Sequence, residues 1–316
     1  MALTKEILFL DPVFKEMLWG GNRMREEFGY EIPGEQTGEC WAVSAHPNGD
    51  GTIKNGRFQG QHLSEVYKNH KELFGNPDSD TFPLLTKIID AKEDLSIQVH
   101  PDDEYAKVHE HGSLGKTESW YILDCDKDAT IVIGHNAKTR EELREMIEGG
   151  KWSELIREIP IKKGDFLQIN PGTVHAIKGG TLLLESQQNS DITYRVYDYD
   201  RLQNGKPREL HKEQSMEVIM VPHVDYRVEK QAGTDATEEL LVDCSYYKVW
   251  KFQVTDTKDY EMSEAFQIVS IIQGSGNVEG YAVKKGDHFI IPYQYGTVHM
   301  EGQMEMIVSS PAEKKG

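Results

Sequence analysis

The chain has 316 residues and a formal net charge of −18, from 35 Lys and Arg against 53 Asp and Glu. This length is enough for two domains of ordinary size, or for one large domain with insertions, and either can bury a substantial core. The negative charge would repel a nucleic-acid backbone and acidic lipid unless the basic residues were clustered. No basic run is present, so neither nucleic acid nor a membrane is expected as a partner.

The three cysteines, Cys40, Cys125 and Cys244, are widely separated and form no CxxC pair. Such a set resembles neither a disulfide framework nor a zinc ribbon, and a reducing cytoplasm is the simplest location. The apolar run at residues 7–10 is too short for a signal-peptide core or a membrane span. We therefore expect a soluble, cytoplasmic protein.

Short apolar segments dominate the chain, and Gly, Pro, Asn and Asp separate them. This pattern is typical of an antiparallel β sandwich or barrel. The predicted strands include the segments FPLLTKIID, LSIQVH, SWYILD, ATIVIG, FLQIN and GTLLLES. A first helical insertion is predicted at about 61–75, because Leu63, Val66 and Tyr67 follow helical spacing.

A second helical insertion is predicted at about 139–160. Thr139 and Glu142 have the form of a capping box, and Gly149-Gly150 ends the apolar stripe that follows. A second short helix is expected behind it, because four apolar residues repeat the helical spacing at Trp152, Leu155, Ile156 and Ile159. Residues 139–160 are therefore predicted to form a helical hairpin inserted into a β protein.

Two phrases of the sequence resemble each other closely. Residues 162–175 read KKGDFLQINPGTVH, and residues 284–299 read KKGDHFIIPYQYGTVH. Such an internal repeat indicates two copies of one β module. The polar segment at about 203–240 lies between the copies, so we place the domain boundary near its end and predict domains at 1–238 and 239–316.

Candidate metal ligands converge near the first phrase. If SIQVH is a strand, Gln98 and His100 are two residues apart and lie on the same face. Glu118 opens an otherwise apolar strand, where a buried unpaired carboxylate would be costly and a cation would remove that cost. Each residue by itself is more often a hydrogen-bonded surface group, so these spacings leave both interpretations open.

The order G-D-x-x-x-I-x-x-G-x-x-H at 164–175 resembles the second motif of the cupins, jelly-roll proteins whose interior commonly holds a metal. Several further segments together resemble the type I mannose-6-phosphate isomerases in their short bacterial form. They are WGG at 19–21, GECWAVS at 38–44, FPLLTKIIDAKEDLSIQVHPDDEYA at 82–106, GKTESW at 115–120 and GTVHAIKGGTLLLESQQNSDITYR at 172–195. The likeness covers about residues 10–200 and extends loosely to the C-terminal repeat.

The resemblance implies a mainly β fold: a cupin catalytic domain with helical insertions and a smaller cupin-like domain at the C-terminus. It also implies one Zn²⁺ per chain, bound by Gln98, His100, Glu118 and His175. The remaining active-site residues that it implies are Lys116 beside the metal, Asp191 and Arg195 in SDITYR, and Ser96 and Lys87 around the phosphate. Without the resemblance, Lys87, Lys116 and Arg195 would be taken as solvated surface charges.

The implied reaction is the zinc-dependent interconversion of mannose 6-phosphate and fructose 6-phosphate through an enediol. Asp191 and Lys116 are the candidates for acid–base work, and Arg195 is either a phosphate anchor or a charge stabiliser. One alternative is a cupin isomerase or epimerase of another sugar phosphate, and another is a non-catalytic sugar-binding cupin. The sequence does not predict the oligomeric state.

The second phrase is predicted to carry no metal site. From Gly164 to His175 is eleven positions, but from Gly286 to His299 is thirteen. The stretch before the second phrase also contains neither Q-x-H nor K-x-E. We therefore expect the C-terminal domain to keep the β module without the metal.

Overall fold

Strands dominate the structure, a computed structural model that describes residues 6–226, 231–232, 237–262 and 265–312, with 231–232 as backbone only. These residues form three large antiparallel sheets and two short hairpins. None of the helices found there is long and apolar enough to cross a membrane. The prediction of a mainly β protein is confirmed.

Two of the sheets face each other and form a β sandwich. The six-stranded sheet contains, in spatial order, Phe166–Ile169, Glu118–Cys125, Thr181–Gln188, Leu84–Ala91, Val13–Gly21 and Thr37–Val43. The five-stranded sheet contains, in spatial order, Ile156–Pro160, Thr130–His135, His175–Ala176, Ile97–Val99 and Tyr194–Tyr197.

The third sheet has ten strands and belongs mainly to the C-terminal part of the chain. Its main path contains Gln231–Ala232, Glu238–Asp243, Tyr247–Val254, Gly296–Pro311, Gln267–Val278, His288–Ile291, Leu8–Asp11 and Thr52–Ile53, with Thr257–Met262 and Tyr281–Lys284 paired beside it. The N-terminal strand Leu8–Asp11 thus pairs with His288–Ile291. The two ends of the chain therefore share one sheet, while the division at residue 238 stays a prediction. Residues 227–230 and 233–236, from the polar segment before that boundary, lie outside the described part.

The remaining elements are short. The hairpins pair Ala45–His46 with Gly49–Asp50 and Leu202–Gln203 with Lys206–Pro207. The α-helices are Arg23–Phe28, Leu63–Asn69, Asp103–His109, Arg140–Glu148, Trp152–Leu155 and Lys212–Val218, and two 3₁₀ turns lie at Gly56–Phe58 and Lys71–Phe74.

The first predicted helical insertion is confirmed, and the second needs a correction. Helix Arg140–Glu148 begins after Thr139, whose side chain accepts a hydrogen bond from the Glu142 N–H, as expected. The second helix, however, ends at Leu155, and Ile156–Pro160 is an edge strand paired with Thr130–His135. Spacing alone favoured a helix there, but β-branched Ile residues suit a strand, and Pro160 is tolerated at a sheet edge.

The six-stranded sheet is buried on both faces. Its inner face contributes Trp120, Ile122 and Leu183 to the interior of the sandwich. The alternate residues of its outer face, such as Leu182 and Leu184, pack in one core with residues of the ten-stranded sheet. Burial on both sides explains why these strands read as nearly continuous apolar runs.

The repeated KKGD letters encode a turn. Asp165 accepts a hydrogen bond from the Lys162 N–H at 2.9 Å, and Asp287 accepts the equivalent bond from Lys284 at 2.8 Å. Both turns place their glycine at positive φ, where a Cβ would be strained: Gly164 has a φ of 88° and Gly286 of 94°. The conformation of the turn therefore explains why the Gly and the Asp occur in both copies.

Candidate metal centre

One row of side chains crosses the five-stranded sheet on its inner face. Gln98 pairs in register with His175 on one side and with Arg195 on the other. Residues directly opposite in an antiparallel pair project from the same face, so these three side chains lie next to each other. Ile97 and Val99 face outward and pack against the helical insertion. The alternation along this short strand therefore directs Gln98 into the sandwich.

His100 and Glu118 complete the cluster from two different directions. His100 follows the strand Ile97–Val99 directly, and Glu118 is the first residue of the facing strand Glu118–Cys125. Both are buried, as is His175. One ligand atom each of His100, Glu118 and His175 lies within 4.8 Å of the others. Three metal-ligand side chains from two sheets thus meet in the interior.

The distances inside the cluster suit a tetrahedral cation. The Nε2 atoms of His100 and His175 are 3.2 Å apart, and the Glu118 carboxylate oxygens lie 3.4 Å and 3.3 Å from them. The Gln98 amide lies 3.3 Å from His175 Nε2. Ligand atoms that bind zinc tetrahedrally at 2.0–2.1 Å are about 3.3 Å from each other. The side-chain amide of Gln98 presents either its oxygen or its nitrogen after a flip, so its oxygen can face the same point.

The two imidazoles are held in the neutral form that binds metals. His175 Nδ1 donates to the Thr173 carbonyl oxygen at 2.8 Å, which leaves its Nε2 with a free lone pair. Burial lowers the pKa of His175, and burial together with the Lys116 ammonium lowers the pKa of His100 to about 3. Their lone pairs and the Glu118 carboxylate face each other, an arrangement that a cation stabilises.

Lys116 contributes one positive charge to this centre. Its Nζ lies 2.7 Å from a Glu118 carboxylate oxygen and 3.1 Å from His100 Nε2. Burial by itself would raise the pKa of Glu118, but the Lys116 charge beside it holds the pKa well below the usual value. Glu118 is therefore ionised and available as a ligand.

Lys87 lies in a second group of buried charges, which the sequence did not predict and which is near enough for the Glu118 charge to act on Lys87. Its Nζ is 3.4 Å from Glu185 and 3.9 Å from Glu39. Trp120 and Trp41 donate indole hydrogen bonds to these two carboxylates at 2.9 Å and 2.6 Å. Burial lowers the pKa of Lys87, but the two carboxylates outweigh it and raise the pKa above its usual value. A carboxylate inside the apolar run TLLLES was a signal for Glu185, of the same kind that marked Glu118.

Ser96 and Arg195 adjoin the metal centre, whereas Asp191 lies apart from it. The Ser96 hydroxyl is 3.5 Å from the Gln98 amide oxygen. Arg195 donates to the Glu209 carbonyl oxygen at 2.8 Å, and burial with the charge of Arg208 lowers its pKa. Asp191 is exposed, accepts a hydrogen bond from Asn48 at 3.1 Å, and lines a cavity of about 1200 Å³.

The structure thus places the predicted site residues in two groups. One group surrounds a single point and contains Gln98, His100, Lys116, Glu118 and His175, with Ser96 and Arg195 beside it. Lys87 and Asp191 lie outside this group, the first paired in the interior and the second at a cavity edge.

Comparison with known proteins gives matches over nearly the whole chain. The family model "Phosphomannose isomerase type I, catalytic domain" matches residues 7–139, and "Mannose-6-phosphate isomerase, cupin domain" matches residues 237–311. "Mannose-6-phosphate isomerase ManA" of Bacillus subtilis is 51% identical, over 97% of this chain and 99% of that protein. A mannose-6-phosphate isomerase of Streptococcus mutans is 46% identical, over 98% and 99%.

Solved structures agree with these matches. The crystal structure of the mannose 6-phosphate isomerase from Bacillus subtilis superposes with a TM-score of 0.94 at 48% identity, covering 96% of this chain and 99% of that one. A phosphomannose isomerase variant from Salmonella typhimurium shares the fold with a TM-score of 0.82 at 13% identity, covering 97% and 100%. The prediction of a cupin fold with a second cupin-like domain at the C-terminus is confirmed.

Proposed function

The chain belongs to the type I phosphomannose isomerase family, and we propose that it interconverts mannose 6-phosphate and fructose 6-phosphate at the metal centre described above. The observation that carries this proposal is the convergence of Gln98, His100, Glu118 and His175 on one buried point, with Lys116 in contact. Family membership adds the substrate class, since the full-length relatives are named for this reaction.

Zinc is the metal that we propose for this centre, one ion per chain. Two imidazole nitrogens, a carboxylate and an amide oxygen form a borderline donor set, and the distances between them suit the tetrahedral geometry of Zn²⁺. The ligands carry one negative charge in total, so a bound dication would keep net positive charge. When bound, it would polarise the sugar carbonyl and stabilise negative charge on its oxygen.

We propose that the phosphate binds towards the edge of the five-stranded sheet. Arg195 lies there in the same row as Gln98, and its partly buried guanidinium is suited to a phosphate. Ser96 supplies a hydroxyl beside Gln98. Lys87 is the third phosphate candidate, but Glu185 and Glu39 already compensate its charge, so Arg195 is the main anchor in this proposal.

Isomerisation moves a proton between C1 and C2 of the open-chain sugar through an enediol. We propose that Lys116 is the acid–base group that transfers this proton. Its Nζ lies within hydrogen-bond distance of His100 and Glu118 and hence near a sugar bound at the metal. Asp191 is the other candidate, and its exposed position at the cavity edge favours a role in substrate entry or orientation.

Metal analysis of the purified protein, combined with an activity assay, tests this proposal. We expect about one zinc ion per chain, loss of isomerase activity after chelation, and recovery on adding Zn²⁺. Mannose 6-phosphate and glucose 6-phosphate should be assayed in parallel, since the first is the expected substrate. A metal-free protein with full activity that ignores the chelator would refute the proposal.

A further inference from the structure

The described residues 237–262 and 265–312 are called the C-terminal unit. Two consecutive tyrosines of this unit reach the sandwich formed by the five- and six-stranded sheets. Tyr246 and Tyr247 end the turn between the strands Glu238–Asp243 and Tyr247–Val254, and the Cys244 N–H donates to the Tyr247 carbonyl oxygen at 3.0 Å to close that turn. Tyr247 is fully buried and Tyr246 is half-buried. Neither residue belongs to the metal centre itself.

Tyr247 is the start of a hydrogen-bond path that ends at His175. Its hydroxyl lies 3.1 Å from Gln168 Nε2, and Gln168 pairs in register with Ser119, the residue after Glu118. The Gln168 amide donates to the Asn170 side chain at 3.3 Å. The Asn170 carbonyl oxygen then accepts the Thr173 N–H at 3.1 Å, and the Thr173 carbonyl orients the His175 ring. The loop that carries one ligand is thus connected to the C-terminal unit.

Tyr246 starts a second path, which reaches Lys116 from both sides. Tyr246 and Asp103 line the same cavity, and burial together with the neighbouring Asp103 carboxylate raises the pKa of Tyr246 to about 12. Asp103 accepts hydrogen bonds from the Gly115 N–H at 2.7 Å and from the Gln188 amide at 3.0 Å. Gln188 in turn accepts the Thr117 N–H at 2.9 Å. The residues before and after Lys116 are therefore both fixed through Asp103.

We infer that Tyr246 and Tyr247 are positioning residues, through which the C-terminal unit holds the ligand-bearing segments 115–119 and 168–175 in the geometry that binds the metal. The physical reason is that groups hydrogen-bonded behind metal ligands fix the ligands' orientation, and their removal typically weakens metal binding by 10- to 100-fold. This inference rests on the proposed metal-dependent function, and it gives the cupin-like C-terminal unit a role beyond packing.

The test compares three full-length variants that each lose one tyrosine hydroxyl. Tyr246→Phe and Tyr247→Phe remove the starts of the two paths. Tyr30→Phe is the matched control. The Tyr30 hydroxyl also joins the two units, donating to the Gly286 carbonyl oxygen at 2.7 Å and lying 2.8 Å from His288 Nε2, but within the described part of the chain no hydrogen bond leads from it to the ligand segments. Each zinc-loaded protein is mixed with a colorimetric zinc chelator, and the rate of zinc release is followed.

We expect zinc release to accelerate about tenfold in Tyr246→Phe and Tyr247→Phe, at the lower end of the range for groups behind ligands, and to stay at the wild-type rate in Tyr30→Phe. Gln168→Met breaks the Tyr247 path from the catalytic side and should accelerate release likewise, which covers the case of a Tyr247 variant that does not fold. If both tyrosine variants release zinc as slowly as wild type and differ only in melting temperature, the inference is overturned. Failure of the proposed function is distinct from this, because the wild-type protein would then hold no zinc at all.

Discussion

Replacement of Lys87 by Met separates two roles that this residue could have. Its ammonium is buried between Glu185 and Glu39, and Met has a similar volume without the charge. Removing one partner of a buried ion pair leaves an uncompensated charge and costs about 3–5 kcal/mol. A chain of 316 residues that unfolds in one transition has an unfolding entropy of about 0.66 kcal/mol/K, so the loss corresponds to a fall in Tm of about 5–8 °C.

The pH dependence of this loss has a definite sign. Burial and the charge of Glu118 already raise the pKa of Glu185, and loss of the Lys87 ammonium would raise it further. A carboxyl group whose folded pKa is raised destabilises the fold above that pKa, and the penalty disappears below the ordinary carboxyl value of about 4.3. The difference between wild type and Lys87→Met, measured by urea unfolding, should therefore shrink as the pH falls from 7 towards 4.

The double variant Lys87→Met/Glu185→Gln supplies the control. The neutral amide that replaces the Glu185 carboxylate can still accept the Trp120 indole hydrogen bond, so most of the lost stability should return. Because the double variant regains stability, its Michaelis constant reports only on whether Lys87 binds the phosphate. A large rise in this constant for mannose 6-phosphate would support that role. A loss below about 1 kcal/mol in the single variant, independent of pH, would refute the assignment of Lys87 as a buried counter-ion.

Four further outcomes are expected. Glu118→Gln removes a charged ligand, so zinc retention measured after dialysis should fall by more than the 10–100-fold typical of residues behind ligands. Lys116→Ala should abolish solvent-deuterium exchange at C2 of the sugar while Asp191→Asn keeps it, and the reverse result would move the base to Asp191. Arg195→Ala should raise the Michaelis constant about 10–150-fold through loss of a charged hydrogen bond worth about 1.5–3 kcal/mol, whereas an unchanged constant would exclude it as the phosphate anchor. Burial lowers the pKa of His288 to about 3, so below about pH 6.5 the unfolded state takes up a proton that the folded state does not. The difference in unfolding free energy between wild type and His288→Gln should therefore fall by up to about 1.4 kcal/mol per pH unit below pH 6.5. Parallel pH profiles of the two proteins would contradict this.

Local patterns singled out three of the residues that meet at the candidate metal centre but left their role open. Alternation along SIQVH placed Gln98 and His100 on the inner side, and a carboxylate at the start of an apolar strand marked Glu118. These signals are short in range because strand geometry fixes each side chain's direction within two residues. The resemblance to a known family then supplied the fourth ligand and the metal, which spacing alone left open.

The interactions that support the centre could not be predicted in the same way, because they join distant parts of the chain. Tyr247 and Gln168 are 79 positions apart, and the path from Tyr247 to His175 exists only once two domains have packed together. The strand at Ile156–Pro160 illustrates the same limit, since pairing with Thr130–His135 overrode a helical spacing of its apolar residues. In such segments tertiary contacts determine the secondary structure, and the spacing of apolar residues gives no information about those contacts.

The two copies of the repeat form the same turn, but the histidine that follows lies in a different environment in each. In both copies KKGD forms an Asp-stabilised turn with a glycine at positive φ, which accounts for the Gly and the Asp that the two copies share. Behind the first turn, His175 lies between the strands Thr130–His135 and Ile97–Val99, beside Gln98, and Glu118 reaches it from the facing sheet. The second turn is followed by two extra positions, and His299 lies on the exposed face of the strand Gly296–Pro311. There its ring nitrogens contact Asp259 at 2.7 Å and Glu301 at 3.1 Å.

The inner face of that second module is instead filled by apolar residues, among them Val298, Met300, Met304 and Met306. Thioether and aliphatic side chains pack well there but are poor ligands for a hard or borderline cation. On the inference drawn above, the C-terminal unit supports the metal centre through the Tyr246–Tyr247 turn, which packs against the sandwich. On this view a deletion of residues 239–316 should cost metal affinity as well as stability, because the segments that carry His175 and Lys116 would lose their outer support.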